Sequence, residues 1–476
     1  MLSRRISTYL IFAISTCGLP LACVAAPALT FNGNTLRPIE VKPERTTGLD
    51  NIYVLYDLSG VSMSVAVSDP AAAKIYKFSN LGGAYSEEIK STHIEDGKIV
   101  LDKVEANLGY IVEDGTQSYY YWVVEYKEYR LKLESIHASS ESDCDYTRLD
   151  VEGSGEPIQY FTINGQPRVL DRELRLKYDT QRWDEQSTTF VTEEAEQIYE
   201  SLTSPLLVSP PAYCATVFHL SGDRFLRAWD WETNVESSTI EPIAVDSRSF
   251  AHQAGLDEGE GGSGGEAGPS GDGEEGDEPS KDASNQIRGE VSGLGGSAPA
   301  DISFTAEATQ GVIHHEWQMS KTPDFEVVDY RFNEQNVDYT FDQEGTFYMR
   351  YIGSNADGSC ESIGDTFTIA IGASELLCPN AFTPNGDGIN DKWKVAYRSL
   401  TEFKCWIFDR NGHQLYYFDN PDEGWDGMRG DKPVRPGVYY YVIQATGADG
   451  KKYKKSGDIN IIRHIENSTT TNPDVE

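Results

Sequence analysis

The stretch from Cys378 to Arg463 leaves the least freedom for what its part of the chain can become. It opens Cys-Pro-Asn-Ala-Phe-Thr-Pro-Asn-Gly-Asp-Gly-Ile-Asn-Asp391. Pro384 fixes φ, while Gly386 and Gly388 supply positive φ values that other residues resist, so Thr383–Asp391 is a tight loop. Beyond it, Phe403, Cys405 and Ile407 alternate onto one face of a strand. Asn411-Gly412 is a two-residue hairpin signal leading into Gln414–Phe418. Further strands at Arg435–Ile443 and Gly457–Arg463 flank a turn at Gly447–Gly450. The pattern predicts a small antiparallel sandwich.

These residues resemble the gliding motility-associated C-terminal domain, the type B sorting domain of the type IX secretion system of Bacteroidota. The opening motif carries the resemblance through Pro379, Asn380, Phe382, Pro384, Asn385, Gly386, Asp387, Gly388, Asn390 and Asp391. Ile407–Gly412, Trp425 and Gly427, Gly437 and Tyr439, and Gly457 follow in the family's order. Two departures are Asn411, where the family usually carries Trp, and the polar tail 464–476. The resemblance implies export across the outer membrane, with the folded domain as address label. It therefore implies the type IX secretion machinery and an outer-membrane surface partner, and nothing about the cargo.

The chain has 476 residues and a net charge of −36, which disfavours nucleic acid and anionic lipid surfaces as partners. Arg4 and Arg5 precede an apolar run to Ala26, the pattern of a secretory signal peptide over residues 1–28, with cleavage after Ala25 or Ala28 left open. Leu21-Ala-Cys23 resembles a lipoprotein box, but Pro20 stands where a branched residue is usual. No later run is long enough to span a bilayer, so the mature chain is expected to lack a transmembrane span. Residues 251–286 collapse to Gly, Glu, Asp, Ser and Pro and read as a disordered acidic linker.

Short β segments separated by turn signals at about ten-residue spacing predict an all-β chain of tandem immunoglobulin-like sandwiches. Residues 29–135 form the first and residues 136–250 the second. The aromatic row Tyr119–Trp122 admits a carbohydrate platform or, more simply, a packed strand pair. In the second domain, Thr192–Leu202 has an N-cap residue followed by acidic residues and reads as the one helix. Arg227-Ala-Trp-Asp-Trp231 reads as a sandwich strand. Residues 287–375 resemble a PKD-like domain through Trp317, the turn Gln343–Gly345 with its aromatic strand, and Asn355–Gly358. Residues 376–463 are the sorting domain.

Little of the sequence carries chemistry. Eight histidines are scattered, and His314 and His315, adjacent in a strand, point to opposite faces. No catalytic motif occurs in a fitting context, so no catalytic residue and no enzyme is expected. Calcium is the one cofactor the sequence admits, through Asn385, Asp387, Asn390 and Asp391, although the EF-hand spacing is missing and turn capping explains the same residues. Export is oxidising, so Cys378 is expected to pair with Cys405 and Cys144 with Cys214, leaving Cys360 odd; the rival readings are that Cys378 and Cys405 are buried free thiols, or that Cys360 takes one of them. The leading expectation is a non-catalytic secreted or cell-surface protein whose N-terminal domains bind an unknown protein or glycan ligand. The alternatives are a structural stalk or filament component and an unrecognised surface enzyme within residues 29–250.

Overall fold

The computed structural model describes residues 26–33, 36–253, 285–287 and 293–462. The expected signal peptide up to residue 25, including Cys23, lies outside the described residues, as do most of the acidic linker and the tail 464–476. The described chain is all-β, with many short sheets and one five-residue α-helix.

The N-terminal region packs a four-stranded sheet, ordered Leu29–Asn32, Ser62–Ala66, Lys98–Leu101 and Thr92–Glu95, against a six-stranded one. At the centre of the larger sheet, Asn51–Leu55 runs parallel to Gln117–Glu125. Both strands are buried on both faces. Tyr53, Leu55, Tyr121 and Val123 enter the core shared with the four-stranded sheet. Their neighbours Ile52, Val54, Trp122 and Val124 enter a second core, built largely by the next domain. Continuous apolar runs such as Ile-Tyr-Val-Leu and Tyr-Trp-Val-Val are what a strand covered on both sides requires. Tyr119, Tyr121 and Trp122 are therefore interior and Tyr120 is half-buried, so the row presents no exposed carbohydrate platform.

The second domain contributes a three-stranded sheet of Lys132–Ala138, Thr147–Ser154 and Leu206–Val208. Its four-stranded sheet is ordered Thr189–Tyr199, Leu174–Asp184, His219–Ser221 and Asn234–Glu236. Here the structure departs from expectation twice. The predicted helix over Thr192–Leu202 is instead the Thr189–Tyr199 strand, paired along its whole length with Leu174–Asp184. Its acidic residues do not cap a helix but meet cations across the ladder, Glu194 with Lys177 at 2.7 Å and Glu193 with Arg182 at 3.0 Å. Asp184 closes the turn by accepting the Ser187 amide and hydroxyl at 3.0 and 2.6 Å. Conversely, Arg227–Trp231 is not a strand. Asp223 accepts the Leu226 N–H at 2.9 Å and caps the helix Arg224–Ala228, which ends by burying Trp229.

Asp223 also forms the polar centre of the seam between the first two domains. It pairs with Arg172 at 2.5 Å, both side chains being fully buried, and accepts the Tyr126 hydroxyl at 2.8 Å. Arg172 donates further to the Tyr129 and Glu156 carbonyls at 2.6 and 2.7 Å.

The third sandwich begins before the acidic run, not after it. Ser247–Gln253 pairs over seven positions with Ala300–Ala308, which in turn pairs with Val337–Phe341. The facing sheet comprises Leu294–Gly296, Phe367–Ile371, Gly345–Ser354, His314–Ser320 and Tyr330–Phe332. Trp317 fills this core and donates its indole N–H to the Gln335 carbonyl at 3.0 Å. Residues 254–284 thus separate two strands of one sandwich rather than two domains.

The second and third domains are joined by a disulfide between Cys144 and Cys360, 216 residues apart. The tip of the Leu174–Tyr199 hairpin reaches the same neighbour, with Trp183 stacked on Phe250 at 5.8 Å. The expected Cys144–Cys214 bond is absent: Cys214 is a buried free thiol, while Cys144 sits in an exposed turn at the domain seam.

Candidate functional site

The C-terminal sandwich holds a five-stranded sheet ordered Ala381–Phe382, Lys452–Ile461, Gly437–Gly447, Leu400–Phe408 and Gln414–Phe418. Phe403, Cys405 and Ile407 face its core, as their alternation demands. Ser399 fixes the sandwich to the third domain. Its N–H donates to Ser297 Oγ at 2.7 Å, and its hydroxyl donates to the Gly372 carbonyl at 2.6 Å.

The opening motif is anchored to this sheet at several points. Phe382 lies opposite Ile461 in a short parallel pairing. Asn460 donates from its backbone and its Nδ2 to the Asn380 carbonyl at 2.8 and 2.9 Å. Trp393, fully buried, donates its indole N–H to the Pro379 carbonyl at 2.7 Å. Phe382, Trp425 and Tyr439 form a file of rings, with centroids 5.7 and 5.2 Å apart. Trp425 donates to the Met428 carbonyl at 2.9 Å, and Tyr439 to the Arg435 carbonyl at 2.8 Å. Gly427 turns the chain at φ +75°, and its carbonyl accepts the Val434 N–H at 2.9 Å. Gly437 begins the Gly437–Gly447 strand. Gly457 stands opposite Tyr441, and a Cβ there would meet that hydroxyl at 2.7 Å and the ring at 2.8 Å.

After Pro384 the exposed loop closes on Asp391. One carboxylate oxygen accepts the N–H groups of Asn385 and Gly386 at 2.9 and 2.6 Å, and the other accepts Gly388 N–H at 2.7 Å. The Gly386 and Gly388 amides, foremost, hold the Asp391 carboxyl below the usual carboxylate range. Asp387 accepts the Ile389 N–H at 2.8 Å and the Asn385 Nδ2 at 2.7 Å. Asn390, at φ +52°, accepts the Thr383 N–H at its carbonyl. The four residues expected as calcium ligands are therefore gathered in one loop, with the Asp391 and Asp387 carboxylates turned onto N–H donors of the loop itself. A cavity of about 760 Å³ lies beside it, lined by Cys378, Phe382, Asp391, Lys392 and Lys394, among others.

Cys378 and Cys405 are free thiols, so the expected staple is absent. Cys405 is fully buried and Cys378 packs partly against the same core. Burial pushes both thiols up, as for small apolar residues filling a core. Trp393 and Tyr441 bring their rings to 5.0 Å in this core, and of the two only Tyr441 falls within the family motif Pro436–Tyr441. Their signal, an aromatic just after the loop and another opposite an invitingly small Gly457, becomes readable only once strands are paired.

Comparisons with known proteins agree with this layout. Residues 376–461 match the CHU_C type IX secretion signal domain, and residues 136–237 match a fibronectin type III domain. No curated protein matches the chain. Among solved structures, the FN1–FN3 domains of chicken CNTN1 align at 9% identity and TM-score 0.23, covering 69% of this chain and 98% of that one. Sidekick-1 immunoglobulin domains 1–5 align at 12% identity and TM-score 0.24, covering 87% and 78%. The C-terminal sandwich thus belongs with the type IX secretion signal domains, and a fibronectin type III domain stands in the chain ahead of it.

Proposed function

We propose that this is a non-catalytic protein of the cell surface or extracellular space, displayed by type IX export so that its N-terminal domains bind a protein or glycan. The secretion signal domain carries the reading, because it fixes the destination of whatever precedes it. What precedes it supports a binding or scaffolding module: the Arg172–Asp223 pair is consumed by structural bonds, and the strands richest in aromatics are interior. The disulfide and hairpin contacts that stiffen the seam between the second and third domains favour a second reading, a surface stalk. Deleting residues 376–462 should strand the chain in the periplasm, and its normal appearance at the surface would sink the export reading. Protein and glycan arrays probed with the exported full chain separate the two readings, since a stalk would give no saturable ligand.

A further inference from the structure

The outward face of the C-terminal sheet lacks the ion-pair lacing seen on the fibronectin hairpin, where Lys177 and Arg182 meet glutamates. Trp406 lies opposite Val442 on one side and Tyr417 on the other, with the Trp406 and Tyr417 rings 5.6 Å apart. Tyr440 continues the patch two residues along, where Asp458 stands opposite it and closes that end with a carboxylate, while Glu402 beyond Lys404 is engaged by the Thr446 hydroxyl. Tyr417, Tyr440 and Val442 are 39%, 45% and 38% exposed, which is high for three large apolar side chains on one face. At the next outward position toward the other end, Lys404 faces Gln444, and Gln444 faces Lys454. The two lysines are two strand spacings apart, about 10 Å. Both are exposed, and neither has a carboxylate partner among the described residues.

On a chain of net charge −36, unpaired cations edging an apolar patch select a partner of complementary charge. We propose that this sheet face is the docking surface for a protein of the type IX machinery, one presenting an apolar patch edged by carboxylates. The inference rests on the export reading and adds the surface that is read. An anionic membrane is the weaker occupant, since the acidic chain as a whole is repelled by it.

The test follows the full-length chain in a host with type IX export, scoring the fraction that reaches the surface. Tyr440→Ser with Val442→Ser removes the patch, and Lys404→Glu with Lys454→Glu reverses the edge. Each should lower surface display roughly tenfold, the scale of losing one interface hot spot, with the melting temperature of the purified protein unchanged. Should charge reversal alter melting, Lys404→Gln with Lys454→Gln replaces it. Normal display of both variants, while deletion of residues 376–462 blocks export, overturns the inference. Normal display of the deletion overturns the export reading instead. Co-sedimentation of the wild-type chain with phosphatidylethanolamine–phosphatidylglycerol vesicles, lost in the lysine variant, would assign the face to lipid and also overturn the proposal.

Discussion

Arg172 and Asp223 show how much a single residue can settle. Asp223 neutralises Arg172, accepts Tyr126 from the first domain and caps a helix of the second. Removing one member of a fully buried pair leaves an uncompensated charge in the interior. Arg172→Met is therefore expected to cost about 3–5 kcal/mol in urea unfolding. Adding Asp223→Ser, which keeps a capping oxygen, should return part of that loss. Equal stability of the single variant and wild type would disprove the assignment. Asp391 makes the opposite case at the surface. Its folded pKa is lowered, so its stabilisation of the loop is present above the unfolded value near 3.9 and is lost as pH falls through the folded one. Hydrogen exchange at Gly386 and Gly388 should quicken selectively below about pH 4, and Asp391→Asn should abolish that step. Because the carboxylate is closed by amides, EDTA should leave the melting temperature unchanged. A clear fall would instead reveal a bound cation.

At the scale of elements, the sheet containing Asn51–Leu55 and Gln117–Glu125 serves two cores. A fragment of residues 26–135 would expose Ile52, Val54, Phe78, Trp122 and Val124 together, and such patches associate. That fragment should aggregate or unfold without cooperativity, whereas residues 26–237 should melt in one transition. A monomeric, cooperatively folding 26–135 would show the two sandwiches to be independent after all. The strands themselves were legible because alternation and apolar runs are local signals, as in Phe403–Ile407 and Tyr121–Val124. The Pro384–Gly388 loop was legible for the same reason, since φ preferences belong to single residues. Thr192–Leu202 misled because acidic residues after a threonine suit a helix start as well as a cross-strand ladder. Only the partner cations Lys177 and Arg182, supplied by the preceding strand, decide between them. Cysteine pairing was illegible for a related reason: Cys360 became a partner for Cys144 only when two domains met.

At the scale of the whole molecule, the decisive arrangement is that strand Ser247–Gln253 and disulfide partner Cys360 lie on opposite sides of the acidic run from the domains they serve. A simple tether at residues 251–286 would let cargo and sorting domain part when it is cut. The structure makes the opposite prediction. A protease recognition sequence inserted between Gly264 and Gly265 divides the chain into an N-terminal piece with Cys144 and Ser247–Gln253, and a C-terminal piece with Ala300–Ala308 and Cys360. After cleavage, a denaturing gel without reductant should show one species of full mass, and adding reductant should give two. Under native conditions the pieces should co-elute even when reduced, because the seven-residue ladder and the hydrogen bond from Gln310 N–H to Gln181 Oε1 still hold them. Were Cys144 bonded to Cys214, both cysteines would fall in the N-terminal piece, and two species would appear before any reductant was added. Were the acidic run a tether between domains, the reduced pieces would separate on gel filtration. Joint retention in both experiments would mean that a cut within residues 254–284 leaves the N-terminal domains attached to their export signal.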